Sequence, residues 1–279
     1  HMPHTCCADV AMRRAVLGGD RRAGLPRDCL AGQYLHARGF YESAESEYRA
    51  GLDTSRRVLG EEHPTTILLR HSITRLLQDR GELAEAEAEA RLVLGAAGRL
   101  LGDEHPQTLD IRRNLAGMLH DRGDLRAAEP ELRAVLAVQR RVLGEEHYDT
   151  QVTRHVLAVL LHDLGRMAAA ESEFREVVAI SRRIYGEENP HTLTTRRNFA
   201  ALLRDRGQLA EADAELRAVL AICREVLGEE HRDTLSTRVS LALVRHGRGE
   251  RDAAEAEFRE VLDIRCRVLG PEHRDSLTL

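Results

Sequence analysis

The sequence predicts an all-α protein, an α-solenoid of antiparallel helix pairs. Three observations carry that prediction. The dipeptide Leu-Gly ends at Gly18, Gly60, Gly102, Gly144, Gly186, Gly228 and Gly270, each 42 residues after the one before (60 − 18 and so on). A second glycine keeps the same step at Gly39, Gly81, Gly123, Gly165, Gly207 and Gly249, and an alanine keeps it at Ala44, Ala86, Ala128, Ala170, Ala212 and Ala254. Within each period the apolar residues recur at helical spacing, with no alternating run that would suggest a strand. A fixed period of about 20–50 residues marks an array whose units cover their apolar faces only against their neighbours.

Six full units can be written: 19–60, 61–102, 103–144, 145–186, 187–228 and 229–270. Residues 1–18 keep the register of a preceding partial unit, and 271–279 begin a further one or form a tail. The unit 103–144 shows how each element is read. His105-Pro106 predicts a helix start, because proline loses nothing at the first helical position, where its missing N–H has no partner. Leu109, Ile111, Leu115, Ala116, Met118 and Leu119 then form one apolar face. Asp121-Arg122-Gly123 closes the helix, with the glycine in a left-handed stop. A second helix begins near Leu125 and carries Ala128, Leu132, Val135, Leu136, Val138, Val142 and Leu143 on one side. Gly144-Glu145-Glu146-His147 leads to the next unit. Ala116 and Ala128 are expected where two helix backbones approach and a larger side chain would force them apart.

Composition narrows the function. Aromatic residues make up 3% and Trp is absent, so small aliphatic side chains must fill the core. All 41 basic residues are Arg, against 46 acidic ones, for a net charge of −5. No basic stretch dominates, which argues against nucleic acid as a partner. Cys6, Cys7, Cys29, Cys223 and Cys266 form neither a Cys-x-x-Cys pair nor a Cys/His metal spacing. With no apolar run of about 18 residues, no membrane partner is expected, and the reducing cytoplasm is the expected compartment.

The spacing of Leu115, Ala116, Leu119, Gly123, Ala128 and Leu132 resembles the tetratricopeptide repeat, whose usual period is about 34 residues. The longer period here, with a longer second helix and a His-Pro-x-Thr start, resembles the kinesin-light-chain type that is also found in bacterial proteins. His63-Pro64-Thr65-Thr66 and His105-Pro106-Gln107-Thr108 show that start, and Asn189-Pro190-His191-Thr192 departs from it at the first residue. The proline is missing at Tyr148, Arg232 and Arg274. The resemblance implies a right-handed superhelix of about six repeats, in which the first helix of each repeat lines a concave groove. It also implies a non-catalytic scaffold that binds a protein or peptide partner.

The family's groove positions fall on 68, 71, 75, 78 and 79 and recur every 42 residues. Positions that repeat identically are read as building the solenoid, and positions that vary as reading a ligand. Arg70, Arg112, Arg154, Arg196 and Arg238 repeat, and their stems are expected to cover apolar surface while their heads meet acids. Asp79, Asp121, Asp163 and Asp205 repeat as well and are read as links between neighbouring units. One varying series runs His71, Arg113, His155, Arg197, Val239. A second runs His36, Gln78, His120, His162, Arg204, His246. A third, of smaller or aliphatic residues in the middle units, runs Arg75, Gly117, Val159, Ala201, Leu243. The first two series make a groove rich in Arg and His, suited to carboxylates and so to an acidic or C-terminal segment of a partner. Asn114 and Asn198 occupy the place where the family clamps peptide backbone, and Ser72, Val156 and Ser240 replace that Asn in other units. The candidate peptide-binding residues are Arg113, Asn114, His120, His155, His162, Arg197, Asn198 and Arg204.

No metal and no cofactor are expected. Neighbouring helix axes lie about 8–10 Å apart, whereas zinc needs ligand nitrogens converging at about 2.0–2.1 Å. His63 and His105 are better read as helix-start chemistry. The chain lacks Gly-x-Gly-x-x-Gly, a phosphate-binding Gly-Lys-Ser/Thr and His-Glu-x-x-His, so no enzyme activity is expected. Two alternatives accompany the scaffold reading. One is a regulatory or sensor module of a larger bacterial nucleoside-triphosphatase or protease-like protein. The other is a self-assembling adaptor whose uncapped terminal helices form an end-to-end homodimer.

Overall fold

The computed structural model describes residues 27–37 and 39–269, and helices are the only regular secondary structure among the described residues. They are α1 (Arg27–Ala37), α2 (Tyr41–Leu59), α3 (Pro64–Arg80), α4 (Leu83–Leu101), α5 (Pro106–Asp121) and α6 (Leu125–Val142), then α7 (Tyr148–Asp163), α8 (Met167–Tyr185), α9 (Pro190–Asp205), α10 (Leu209–Leu227), α11 (Arg232–Gly247) and α12 (Arg251–Leu269). The partial unit expected at 1–18, with Cys6 and Cys7, and the repeat start expected at 271–279 lie outside the described residues.

The helix starts follow the local chemistry expected of them. His63 Nδ1 accepts the Thr65 N–H and His105 Nδ1 accepts the Gln107 N–H, each at 3.2 Å. Pro64 and Pro106 take the first helical positions beside them. Where proline is missing, at Tyr148 and Arg232, the histidine cap remains: His147 and His231 accept from Asp149 and Asp233 at 3.2 Å. Asn189 Oδ1 does the same for His191 at 2.9 Å. These side chains satisfy amides that the first turn of a helix leaves without partners. At the other ends, Gly123 has φ 89° and Gly144 φ 90°, a left-handed backbone that a Cβ would oppose.

The chain divides into two compact units, Gly19–Leu160 and a second from Leu161 onward. In the first, α1 packs on α2, α2 on α3, and so on in order to α6. Among its first-of-pair helices, α1 also touches α3 and α3 touches α5. The first-of-pair helices therefore form a row in which each touches the next, the row that the family resemblance sets on the inner side. Ala44, Tyr48, Leu52, Leu69 and Leu76 form one core cluster, and Leu77, Ala86, Ala90 and Met118 form another. The second unit repeats the scheme: α8 to α12 pack in order, and α9 touches α11. Leu193, Val219 and Cys223 cluster there, and the rings of Phe174 and Phe199 lie 6.1 Å apart. Each unit is an α-solenoid of stacked helix pairs.

Ala116 and Ala128 are both fully buried, as their small size requires. The predicted apolar face of the second helix needs one correction. Val142 is 46% exposed, and Gln139 is buried in its place. Leu132, Val135, Leu136 and Gln139 keep the inward stripe at helical spacing, while Val142 is the last residue of the helix and lies off that stripe.

The repeated arginines are structural. Arg70 donates through Nε to Glu89 at 2.6 Å, Arg112 to Glu131 at 2.6 Å, Arg196 to Glu215 at 2.5 Å and Arg238 to Glu257 at 2.5 Å. Each pair ties the first helix of a repeat to its second. A different set ties one repeat to the next. Glu45 meets Arg49 on its own helix and Arg80 on α3, and Glu171 meets Arg175 and Arg206 in the same way.

Candidate functional site

Polar side chains link the inner-row helices at a spacing of one period plus one residue. In the first unit His36 Nε2 lies 2.7 Å from Asp79 Oδ2, and Gln78 Nε2 donates to Asp121 Oδ2 at 2.7 Å. In the second unit His162 Nε2 lies 2.9 Å from Asp205 Oδ2. The expected linking role of the repeated aspartates is thus seen directly at Asp79, Asp121 and Asp205. Burial alone would raise the Asp205 carboxyl, but the hydrogen bond and charge of Arg204, with His162 beside them, hold it below the usual carboxylate range. Asp205 joins two candidate residues: Arg204 Nε donates to its Oδ1 at 2.8 Å while His162 meets its Oδ2.

A denser cluster lies between α3 and α5. Arg113 pairs with Asp110 one turn earlier on α5. Its side chain is 12% exposed, and its Nη1 has no hydrogen-bond partner among the described residues. Asn114 Nδ2 donates to His71 Nε2 on α3 at 2.7 Å. His71 is buried, and its Nδ1 lies 3.7 Å from Asp110 Oδ2. Burial drives the His71 pKa down to about 4; Asp110 opposes the shift, and Arg75 and Arg113 add to it. The ring is therefore neutral near pH 7. Tyr148, at the start of α7, feels the charges of Arg75 and Arg113, and burial raises its pKa.

The remaining candidates are more dispersed. His120, at the end of α5, has Nδ1 3.3 Å from the neighbouring Asp121. His155 is buried on α7. Arg197 on α9 reaches Asp233 on α11 at 3.5 Å. Asn198 is half-buried beside it on α9. The structure thus brings Arg113 and Asn114 into one cluster and His162 and Arg204 onto one carboxylate. Arg113, Arg197, Arg204 and His162 each already face an acid of the chain itself, so an incoming carboxylate must compete for them.

Asp110, Asp233 and the supporting role of His71 were not legible as site features, because side-chain partners depend on neighbours in the folded stack. One signal existed. Four links on the inner row, His36–Asp79, His71–Asn114, Gln78–Asp121 and His162–Asp205, join a varying position to the residue that follows its copy one period later. Among the described residues, no group of three or more His, Cys, Asp or Glu converges as a metal set, and no helix is long and apolar enough to cross a membrane.

The stacked pairs, with a buried Ala at the same place of each second helix, agree with what sequence comparison finds. Residues 31–65, 66–107, 107–182, 149–214 and 192–267 match the tetratricopeptide repeat. The chain belongs to the tetratricopeptide repeat family. Its repeats are of the kinesin-light-chain-like type. A solved structure of nearly identical TPR-like repeats, assigned to a kinesin light chain of Podosopora anserina, is 28% identical, with a TM-score of 0.58 over 75% of this chain and 99% of that one. The structure of BtubC (BKLC) from P. vanneervenii aligns with a TM-score of 0.64 at 21% identity, over 82% of this chain and 92% of that one. A Rap protein complexed with Competence and Sporulation Factor shares the fold at 12% identity and a TM-score of 0.68, over 93% of this chain and 80% of that one. No curated protein matches the sequence.

Proposed function

We propose that this protein is a non-catalytic scaffold that binds a peptide segment of a partner along the inner-row helices. The segment is acidic or carries a C-terminal carboxylate. The observation that carries this reading is the Arg113 side chain, which is largely buried and paired with Asp110 yet keeps an Nη1 without an acceptor among the described residues. A buried donor without an acceptor is costly, and a ligand carboxylate that displaced Asp110 from the guanidinium would bring an acceptor for it while keeping the charge paired. Similar folds lend support: NprR, 15% identical with a TM-score of 0.64 over 95% of this chain and 77% of that one, was solved in complex with its cognate peptide NprX. The residues we assign to the contact are Arg113, Asn114, His120, His155, His162, Arg197, Asn198 and Arg204. A reducing compartment such as the cytoplasm suits the unpaired thiols of Cys223 and Cys266.

A short fluorescein-labelled Glu/Ala peptide tests the reading by anisotropy against a Lys/Ala control. The double variant Arg113→Ala/Arg197→Ala should bind the acidic peptide about tenfold more weakly. Equal binding of both peptides, or no loss in the double variant, would remove the Arg-bearing face from the mechanism.

A further inference from the structure

His71 stands in the same series as Arg113 and Arg197, yet it is sealed inside, 4% exposed. Its geometry is that of a supporting group. The ring spans the gap between α3 and α5, with Nε2 2.7 Å from Asn114 Nδ2 and Nδ1 3.7 Å from Asp110 Oδ2. A neutral imidazole carries one proton. The carboxylate on the Nδ1 side draws that proton to Nδ1 and leaves the Nε2 lone pair to accept from Asn114. The charged groups around the ring are Arg75 on its own helix and Asp110 and Arg113 on α5. Two guanidinium groups and burial oppose a second proton, so the ring remains an acceptor near pH 7.

An acceptor at that point decides which way the neighbouring amide faces. The Asn114 NH2 turns toward the ring, and Oδ1, on the opposite side of Cγ, turns away from it. We propose that His71 is a positioning residue: it locks the Asn114 amide so that this place on the inner row offers an oxygen acceptor to a backbone N–H of a bound peptide. Only the last clause rests on the peptide-binding reading above. In two other repeats the same place is a serine and offers no amide. The hydroxyls of Ser72 and Ser240 bond back to the Leu68 and Ser236 carbonyls of their own helices, at 3.0 and 3.1 Å. Adding a proton to His71 reverses the arrangement. Nε2 then donates, Asn114 must turn its oxygen inward, and the outward group becomes a donor.

NMR of the 15N-labelled full chain tests the lock without any ligand. At neutral pH the His71 ring nitrogens should report the Nδ1–H tautomer, and one Asn114 side-chain proton should be shifted downfield and slow to exchange. His71→Gln keeps an acceptor and should preserve the Asn114 signature. His71→Leu, checked for native helicity, should abolish it. An Nε2–H tautomer in the wild type, or an Asn114 signature indifferent to His71→Leu, overturns the positioning role. If the Leu variant fails to fold, the wild-type tautomer and the Gln variant still decide. The Glu/Ala peptide gives the second arm: His71→Leu should weaken it about fivefold, and His71→Gln should restore it. Equal binding to wild type and both variants overturns the proposal and leaves peptide binding standing. A peptide that does not bind the wild type overturns the peptide reading, and the NMR arm then settles the role of His71 alone.

Discussion

Arg113 and Arg197 are copies of one position, two periods apart, and they have different partners. Arg113 pairs with Asp110 on its own helix, while Arg197 reaches across to Asp233 on the next inner-row helix. The residue three places earlier accounts for the difference. It is Asp110 in one copy and Thr194 in the other, and the threonine offers no carboxylate. The neighbouring arginines differ too. Arg112 keeps 34% of its side chain exposed, whereas Arg196 keeps 3% and holds Glu187 as well as Glu215. The two copies show that a repeat conserves helix packing while the charge network is rewired by single substitutions.

The comparison can be broken most sharply at the buried arginines. Arg196→Ala removes a buried side chain that holds Glu215 and Glu187, both of which keep Arg182, and should destabilise the protein by about 1.5–3 kcal/mol, against about 1 kcal/mol or less for the more exposed Arg112→Ala. Urea denaturation of the two variants checks this, and equal losses would mean that burial does not separate the copies.

The cluster around Arg113 should also be the more acid-sensitive of the two. The His71 pKa is about 4 in the folded chain and ordinary, near 6.5, in the unfolded one. The unfolded chain therefore takes up the proton first. Stability from this group is complete above about pH 6.5, declines as pH falls, and levels off below about pH 4, for a total of about 3 kcal/mol. Urea midpoints measured between pH 7 and pH 4 should fall less steeply in His71→Gln than in the wild type.

Gly117 and Ala201 offer a smaller contrast at another shared position. A Cβ at Gly117 would meet only the Gln78 side chain, at 3.7 Å. Gly117→Ala should therefore raise stability by about 1 kcal/mol, seen as a higher thermal midpoint. The weakest effect on stability is expected from exchanging the pairing rule itself. Asp110→Asn should release Arg113 and Thr194→Asp should draw Arg197 back to its own helix, each shifting stability by about 0.5 kcal/mol or less. Crystal structures of the variants would read the new partners, and an Arg197 still on Asp233 in Thr194→Asp would refute the rule.

Much of this was visible beforehand. The period, the helix pairs, the histidine caps at His63 and His105 and the structural role of the repeated arginines all depend on residues close in sequence or locked to the period. The inner-row links of Asp79, Asp121 and Asp205 were legible in outline, because a repeated acid beside a varying column implies a partner one repeat away. Three features stayed hidden. Nothing local marks His71 as buried, since its copies at Arg113 and Arg197 keep charge. Nothing local predicts that Asp110 draws in Arg113, or that Gln139 turns inward while Val142 turns out.

The amino-acid sequence alone determined the architecture, because helix propensity, caps and apolar spacing are short-range properties repeated in one register. The tertiary structure alone decided the chemistry of the inner row. Burial, and the few ångströms between side chains on α3 and α5, determine whether a histidine carries charge, which way an amide faces and which acid an arginine meets.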